Sequence, residues 1–153
     1  AMVRLQGKID RIDLLPARET GRAGFRIIDY KTGPSPSKKD VKESLYLQLP
    51  LYALAVERLV LATEASLHDV GYWGLSKDGY IPIALTAWDE DQARLERFVI
   101  DLVNHLRHGV FPVDPRKDGC TKQCEYNAVC RIGQVKTQGK KREDALRMEL
   151  KIR

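Results

Sequence analysis

The stretch IIDYKTG, Ile27 to Gly33, begins as a buried strand and ends with an acid and a base two positions apart. Side chains of a strand alternate between its faces, so residues i and i+2 share one. Asp29 and Lys31 therefore aim at one point, while the side chain of Tyr30 turns away. Taken alone, an Asp-x-Lys at a strand end equally describes a surface ion pair. Its neighbours in the chain have to decide between the two readings.

Upstream, VRLQGKIDRID (Val3 to Asp13) reads as a first strand with Asp10 at the end of its apolar part, followed by the turn-rich LLPARETGRAG and then FRIIDYK. Two strands joined by a turn are expected. Such a hairpin can bring Asp10 and Asp29 within reach of one divalent ion. Mg2+ takes oxygen ligands and keeps several waters, so two carboxylates and the backbone carbonyl of Tyr30 would make an open site. A lysine beside such an ion can orient the attacking water, help deprotonate it, or offset developing phosphoryl charge. The combination suits hydrolysis of a phosphodiester. Asp13 has the wrong parity to share a strand face with Asp10, so a salt bridge with Arg11 or a loop role is expected of it. Gly7 and Gly33 are expected to relieve crowding or supply positive φ near the site.

Downstream, TGPSPSKKD carries a glycine and two prolines and predicts a loop without regular structure; its Ser35, Lys38 and Lys39 are candidate contacts for DNA phosphates. The run from Leu45 to Ala62 is apolar almost all round and predicts a helix touching protein on more than one side, begun or bent at Pro50. ASLHDVGYWGL and GYIPIALT, joined by SKDG, predict a second strand pair. From Asp89, the residues Leu95, Phe98, Val99, Leu102, Val103 and Leu106 recur at helical spacing up to Gly109. The order β, β, α, β, β, α predicts an α/β fold, a mixed central β-sheet flanked by helices.

The 153 residues suit one domain, and 43% hydrophobic with 31% charged residues is the mixture of a soluble globular protein. No apolar run approaches the ~18 residues of a membrane span, and the start carries no secretory signal, so a cytoplasmic protein without a membrane partner is expected. The net charge is +5, and from Arg131 onward eight Lys or Arg stand against three acids. A basic end suits phosphate backbones, and a solvated tail or charged helix face reads the same way.

GKIDRID, IIDYKTG and QLPLYALA, in that order, resemble the motifs of the RecB-like (AddB-type) nuclease domains of the PD-(D/E)XK superfamily. The resemblance runs from about Leu5 to Cys130. It implies a restriction-endonuclease-like core and a Mg2+- or Mn2+-dependent deoxyribonuclease in which Asp10 and Asp29 hold the metal and Lys31 serves the water. It also implies an exonuclease of double-strand break processing that works on single-stranded or duplex DNA ends with a helicase domain or subunit. Gln48 and Tyr52 of the helical motif, four residues apart on one face, are implied to position the lysine, the water or the phosphate. The implied layout is a nuclease domain over residues 1–131, continued upstream in the natural chain, and a basic tail or helix over 132–153. One other reading stays open, a noncatalytic DNA-binding or structural module of a helicase–nuclease complex; a hydrolase of small phosphate compounds fits less well, because Gln48, Tyr52 and the basic end suit a polymer better.

Cys120, Cys124 and Cys130 are the three cysteines of the chain. Clustered cysteines in a cytosolic protein point to a metal or an iron–sulfur cluster before a disulfide. The resemblance implies a [4Fe-4S] cluster whose fourth cysteine lies upstream, although the gap of three between Cys120 and Cys124 departs from the commoner two. His105 and His108 are expected to serve the end of their helix, and His68 has no partner that the sequence names.

Overall fold

A computed structural model describes residues 4–17, 21, 23–43, 46–61, 64–75 and 79–110. Within them β1 (Arg11–Leu15), β2 (Ala23–Lys31), β3 (Ala65–Gly74) and β4 (Gly79–Ile83) form one sheet in the order β1-β2-β3-β4. The β1–β2 and β3–β4 pairs are antiparallel, and β2 runs parallel to β3. The sheet is therefore mixed, as expected. The parallel pair needs a crossover, and α1 (Lys38–Lys42) and α2 (Gln48–Ala55) supply it.

Alternation decides which side of the sheet each residue serves. Phe25, Ile27, Val70, Tyr72 and Ile83 point to one face and join Val41 of α1, Leu49 and Ala53 of α2, and Leu95 and Phe98 of α3 (Trp88–Arg107) in a single buried cluster. Burying each of the Val, Leu, Ile and Phe side chains contributes about 1.5–3 kcal/mol. On the other face Asp69 is held by Arg26 (Nε to Oδ1, 2.6 Å), by the Tyr80 hydroxyl (2.5 Å) and by His68 Nδ1 (2.8 Å). His68 thus has a partner that the sequence did not name. Burial pushes the Asp69 carboxyl up, but the hydrogen bonds from Arg26, Tyr80 and His68 outweigh it and hold the group below its ordinary range. The ring of Tyr80 lies across Gly71, where a Cβ would also come within 2.6 Å of the Ile81 carbonyl oxygen.

Several sequence expectations shift. The first strand starts at Arg11, so Asp10 precedes it instead of ending its apolar part, and residues 4–9 lie in no regular element. The proline-containing loop ends sooner than expected, because Ser37 caps α1. Its hydroxyl accepts from the Asp40 amide (3.2 Å) and the Asp40 carboxylate accepts from the Ser37 amide (3.1 Å), a reciprocal capping box. The apolar helix begins at Gln48 and passes into a π-helical turn at Val56–Val60. Pro50 sits in its first turn, where a missing N–H breaks no intrahelical bond. Leu49, Pro50, Ala53 and Val56 are buried, yet Leu59 and Val60 are exposed, so protein contact does not extend around the whole run. In α3 the buried stripe thins toward its end, and Leu106 is exposed. Gly109 closes that helix with φ +68°, a conformation that glycine takes at little cost.

Candidate active site

The site lies where β2 ends, beside the first turn of α2. Asp29 belongs to the helix-covered face and is 4% exposed. Its Oδ1 accepts from Gln48 Nε2 at 2.8 Å, and its Oδ2 lies 2.6 Å from the Lys31 ammonium. That approach does not follow a hydrogen-bonding direction, and no donor among the described residues satisfies this buried oxygen. Lys31 in turn donates to Gln48 Oε1 at 3.3 Å, and Gln48 Nε2 also reaches the Tyr52 hydroxyl at 3.3 Å. One amide side chain therefore accepts from the base and donates to the acid, which fixes their relative positions.

Asp10 enters from the opposite side of β2. The register Arg11↔Ile28, carried one residue further, sets Asp10 across from Asp29. Its Oδ2 accepts from the Tyr30 amide at 3.0 Å, which ties Asp10 to the backbone one residue beyond Asp29. The Tyr30 side chain faces away from Asp29, as the alternation predicts, and its hydroxyl accepts from Arg11 at 3.3 Å.

Gly7 has a visible steric role. A Cβ there would stand 2.8 Å from Cε1 of Tyr52, so the bare backbone makes room for the ring that touches Gln48. Gly33 shows no such role: a Cβ there meets nothing within 4 Å among the described residues, and its φ is not positive. Beside Tyr52 the N-terminal segment and α2 border a mainly apolar cavity of about 550 Å³, with Gln6, Gln48, Tyr52 and Arg58 as its polar side chains. Asp13 pairs with Arg11 (2.7 Å) on the far face and raises the Arg11 pKa, in keeping with a structural salt bridge. His105 and His108 each place Nδ1 2.7 Å from the carbonyl four residues earlier, a helix-end role. Lys39 lies 3.7 Å from Glu43, and the Ser35 hydroxyl is buried without a hydrogen bond among the described residues. Cys120, Cys124, Cys130 and all of 132–153 lie outside the described residues.

The sequence reading missed Tyr72. Parallel pairing sets it opposite Asp29, on the same face, and it is fully buried with a hydroxyl that no group among the described residues satisfies. The Lys31 ammonium stands 5.3 Å from its ring centroid. Burial first, and the Asp29 charge after it, push the Tyr72 phenol up. The only signal in the sequence was the alternation of VGYWG, which any core tyrosine would share.

Residues 1–131 match the family described as the PD-(D/E)XK nuclease superfamily. The chain belongs to that superfamily. The PD-(D/E)XK chain is also 48% identical over 54 residues to an ATP-dependent helicase/deoxyribonuclease subunit of Moorella thermoacetica. That match covers 35% of this chain and 4% of the relative, so the chain spans a small fraction of the relative's length. It accords with the RecB-like, AddB-type branch and with a nuclease-type function. No solved structure matches.

Superfamily members use divalent metals, and the residues here can be tested against that need. Among the described residues no group of three or more His, Cys, Asp and Glu could hold an ion. The Asp10 carboxylate binds the amide of the residue that follows Asp29, and among the described residues one buried Asp29 oxygen lacks a hydrogen bond. That donor set fits a hard ion that keeps part of its water shell. It does not fit a closed site of side chains. No helix of the described residues is long and apolar enough to cross a membrane.

Proposed function

We propose that the chain is a Mg2+- or Mn2+-dependent deoxyribonuclease domain that hydrolyses phosphodiester bonds, acting as an exonuclease in double-strand break processing and recombination repair. One observation carries the reading. A buried Asp29 carboxylate, Lys31 and Gln48 form a closed triangle of contacts, with Asp10 anchored one peptide away. A plain ion pair at a strand end has no need of a glutamine that bridges both partners.

Asp10, Asp29 and the Tyr30 carbonyl would hold the metal, which supplies Lewis-acid polarisation of the phosphate and a more acidic water. Lys31 orients the attacking water and offsets charge that develops on the phosphoryl oxygens. Gln48 keeps the ammonium and the carboxylate in register, and Tyr52 steadies Gln48. Asp29 is withdrawn from bulk water, which strengthens each of these interactions.

The relative's name, which describes part of a helicase and deoxyribonuclease, supports a helicase as partner and DNA ends as substrate. The same reading assigns residues 1–131 to the nuclease domain and 132–153 to a basic tail that meets the DNA backbone. It assigns Cys120, Cys124 and Cys130 to a [4Fe-4S] cluster completed by a further cysteine, and the protein to the cytoplasm.

The test is incubation with end-labelled single- and double-stranded DNA in Mg2+, Mn2+ or chelator, beside Asp29→Ala and Lys31→Ala. Metal-dependent shortening from the ends, lowered at least about 100-fold in each variant, is the expected result. DNA binding without cleavage in any metal would leave a noncatalytic module. Equal cleavage by wild type and both variants would reveal a contaminant.

A further inference from the structure

The fully buried Tyr72 has no place in the chemistry set out above, yet it stands at the centre of the site. It is the register partner of Asp29 across the parallel β2–β3 pair, and its ring centroid is 5.3 Å from the Lys31 ammonium. Among the described residues its hydroxyl has no hydrogen-bond partner, an unfavourable arrangement for a buried donor.

The Lys31 side chain is 28% exposed and its stem is flexible. Asp29 draws the ammonium toward one oxygen, and Gln48 holds it from a second direction. The ring of Tyr72 supplies a third. An ammonium within about 6 Å of an aromatic centroid is attracted by the negative face of the ring, and partial desolvation strengthens the attraction. Three restraints from different directions fix a point, whereas two leave an arc.

From this geometry we infer that Tyr72 is a positioning residue whose aromatic ring holds the Lys31 ammonium in place for phosphodiester hydrolysis, acting through Lys31 and touching neither DNA nor metal. The inference rests on the nuclease reading for its consequence and on the ring geometry alone for its structure. It assigns the function to the ring and none to the hydroxyl.

The experiment compares wild type, Tyr72→Phe and Tyr72→Leu as full chains, with two readouts. The first is the ¹H–¹³C spectrum of the lysine ε-methylenes in chelator, with Lys31 assigned by Lys31→Arg. A methylene held over a ring is shifted upfield. The shift is expected in wild type and Tyr72→Phe and is lost in Tyr72→Leu. The second is steady-state cleavage with Mg2+. Tyr72→Phe keeps kcat within about twofold, and Tyr72→Leu loses about tenfold or more in kcat with KM little changed, since misplacing a reacting group acts on the chemical step. The melting temperature of Tyr72→Phe equals or exceeds that of wild type, because an unsatisfied hydroxyl is removed.

Loss of kcat in Tyr72→Phe equal to that in Tyr72→Leu would overturn the inference by making the hydroxyl the active part. An unshifted Lys31 methylene in wild type would overturn it as well. Should wild type cleave nothing, the nuclease reading fails, while the methylene spectra still decide whether the ring holds the ammonium. Should Tyr72→Leu fail to fold, Tyr72→Phe and the wild-type methylene shift decide it.

Discussion

The strongest consequence at the scale of single residues concerns the charge on Asp29. A carboxylate with 4% of its surface exposed depends on a positive neighbour, and Lys31 is the one within 4 Å among the described residues. Removing one partner of a buried pair leaves the other uncompensated, and the cost exceeds the net worth of the pair. Because Lys31 retains contact with water, we expect Lys31→Ala to lower stability by about 2 kcal/mol in chelator. Added Mg2+ should then recover most of the loss, and raise the melting temperature more in the variant than in wild type, since no ammonium has to give way. Thermal melts with and without metal check this, and a variant as stable as wild type in chelator would contradict it. The partners of Asp29 were only partly legible. Lys31 follows from alternation, and Gln48 came from the resemblance. Tyr72 did not show, because a tyrosine in an apolar strand reads as core and its relation to Asp29 exists only through the register of two strands distant in sequence.

Among the elements, β3 and β4 meet through an unusually close approach. Tyr80 crosses the surface of β3 at Gly71, and its hydroxyl ends on Asp69, which also binds Arg26 of β2. A methyl at Gly71 would strike the ring and the Ile81 carbonyl, and backbone yields less readily than a flexible side-chain tip. Gly71→Ala is expected to destabilise by about 1–3 kcal/mol and to loosen β4 from β3. Denaturant melts measure the first effect, and amide exchange along Gly79–Ile83 the second. A neutral Gly71→Ala would mean that β4 shifts without cost. The strand pair itself was legible from its alternation and glycine turn. The Asp69 cluster was not, because Arg26 is 43 positions away and its relevance depends on β2 lying parallel to β3. The first strand was placed too early for a related reason. Val3 to Ile9 carries the apolar content of a strand, but residues 4–9 run beside α2, where Gly7 makes room for Tyr52, instead of along β2.

For the molecule as a whole, perturbed groups in the sheet set opposite pH limits. Asp69 is held below its ordinary range, so between its native and unfolded values the unfolded chain binds more protons. Stability is then present above about pH 4 and falls as the pH drops below it. Tyr72 and Tyr80 are pushed above their ordinary value near 10, each chiefly by burial. Above pH 10 the unfolded chain releases protons that the native one retains, so stability falls as the pH rises. Melting temperature against pH should show both flanks. Asp69→Asn, less stable at neutral pH because Arg26 loses its partner, should flatten the acid flank. Tyr72→Phe should soften the alkaline one. An unchanged acid flank in Asp69→Asn would remove that carboxylate from the account.

The crossover between β2 and β3 ties these scales together in time. A parallel pair forms only after the intervening chain has closed into a loop, an entropic cost that a local hairpin largely avoids. Gln48 rides on that loop, between the strand that carries Asp29 and Lys31 and the strand that carries Tyr72. The β1–β2 hairpin can form early in synthesis and already sets Asp10 near Asp29, but it holds neither the glutamine nor the ring. Completion of the sheet and completion of the proposed site are thus one event, and a half-made chain carries both acids without the means to aim its lysine.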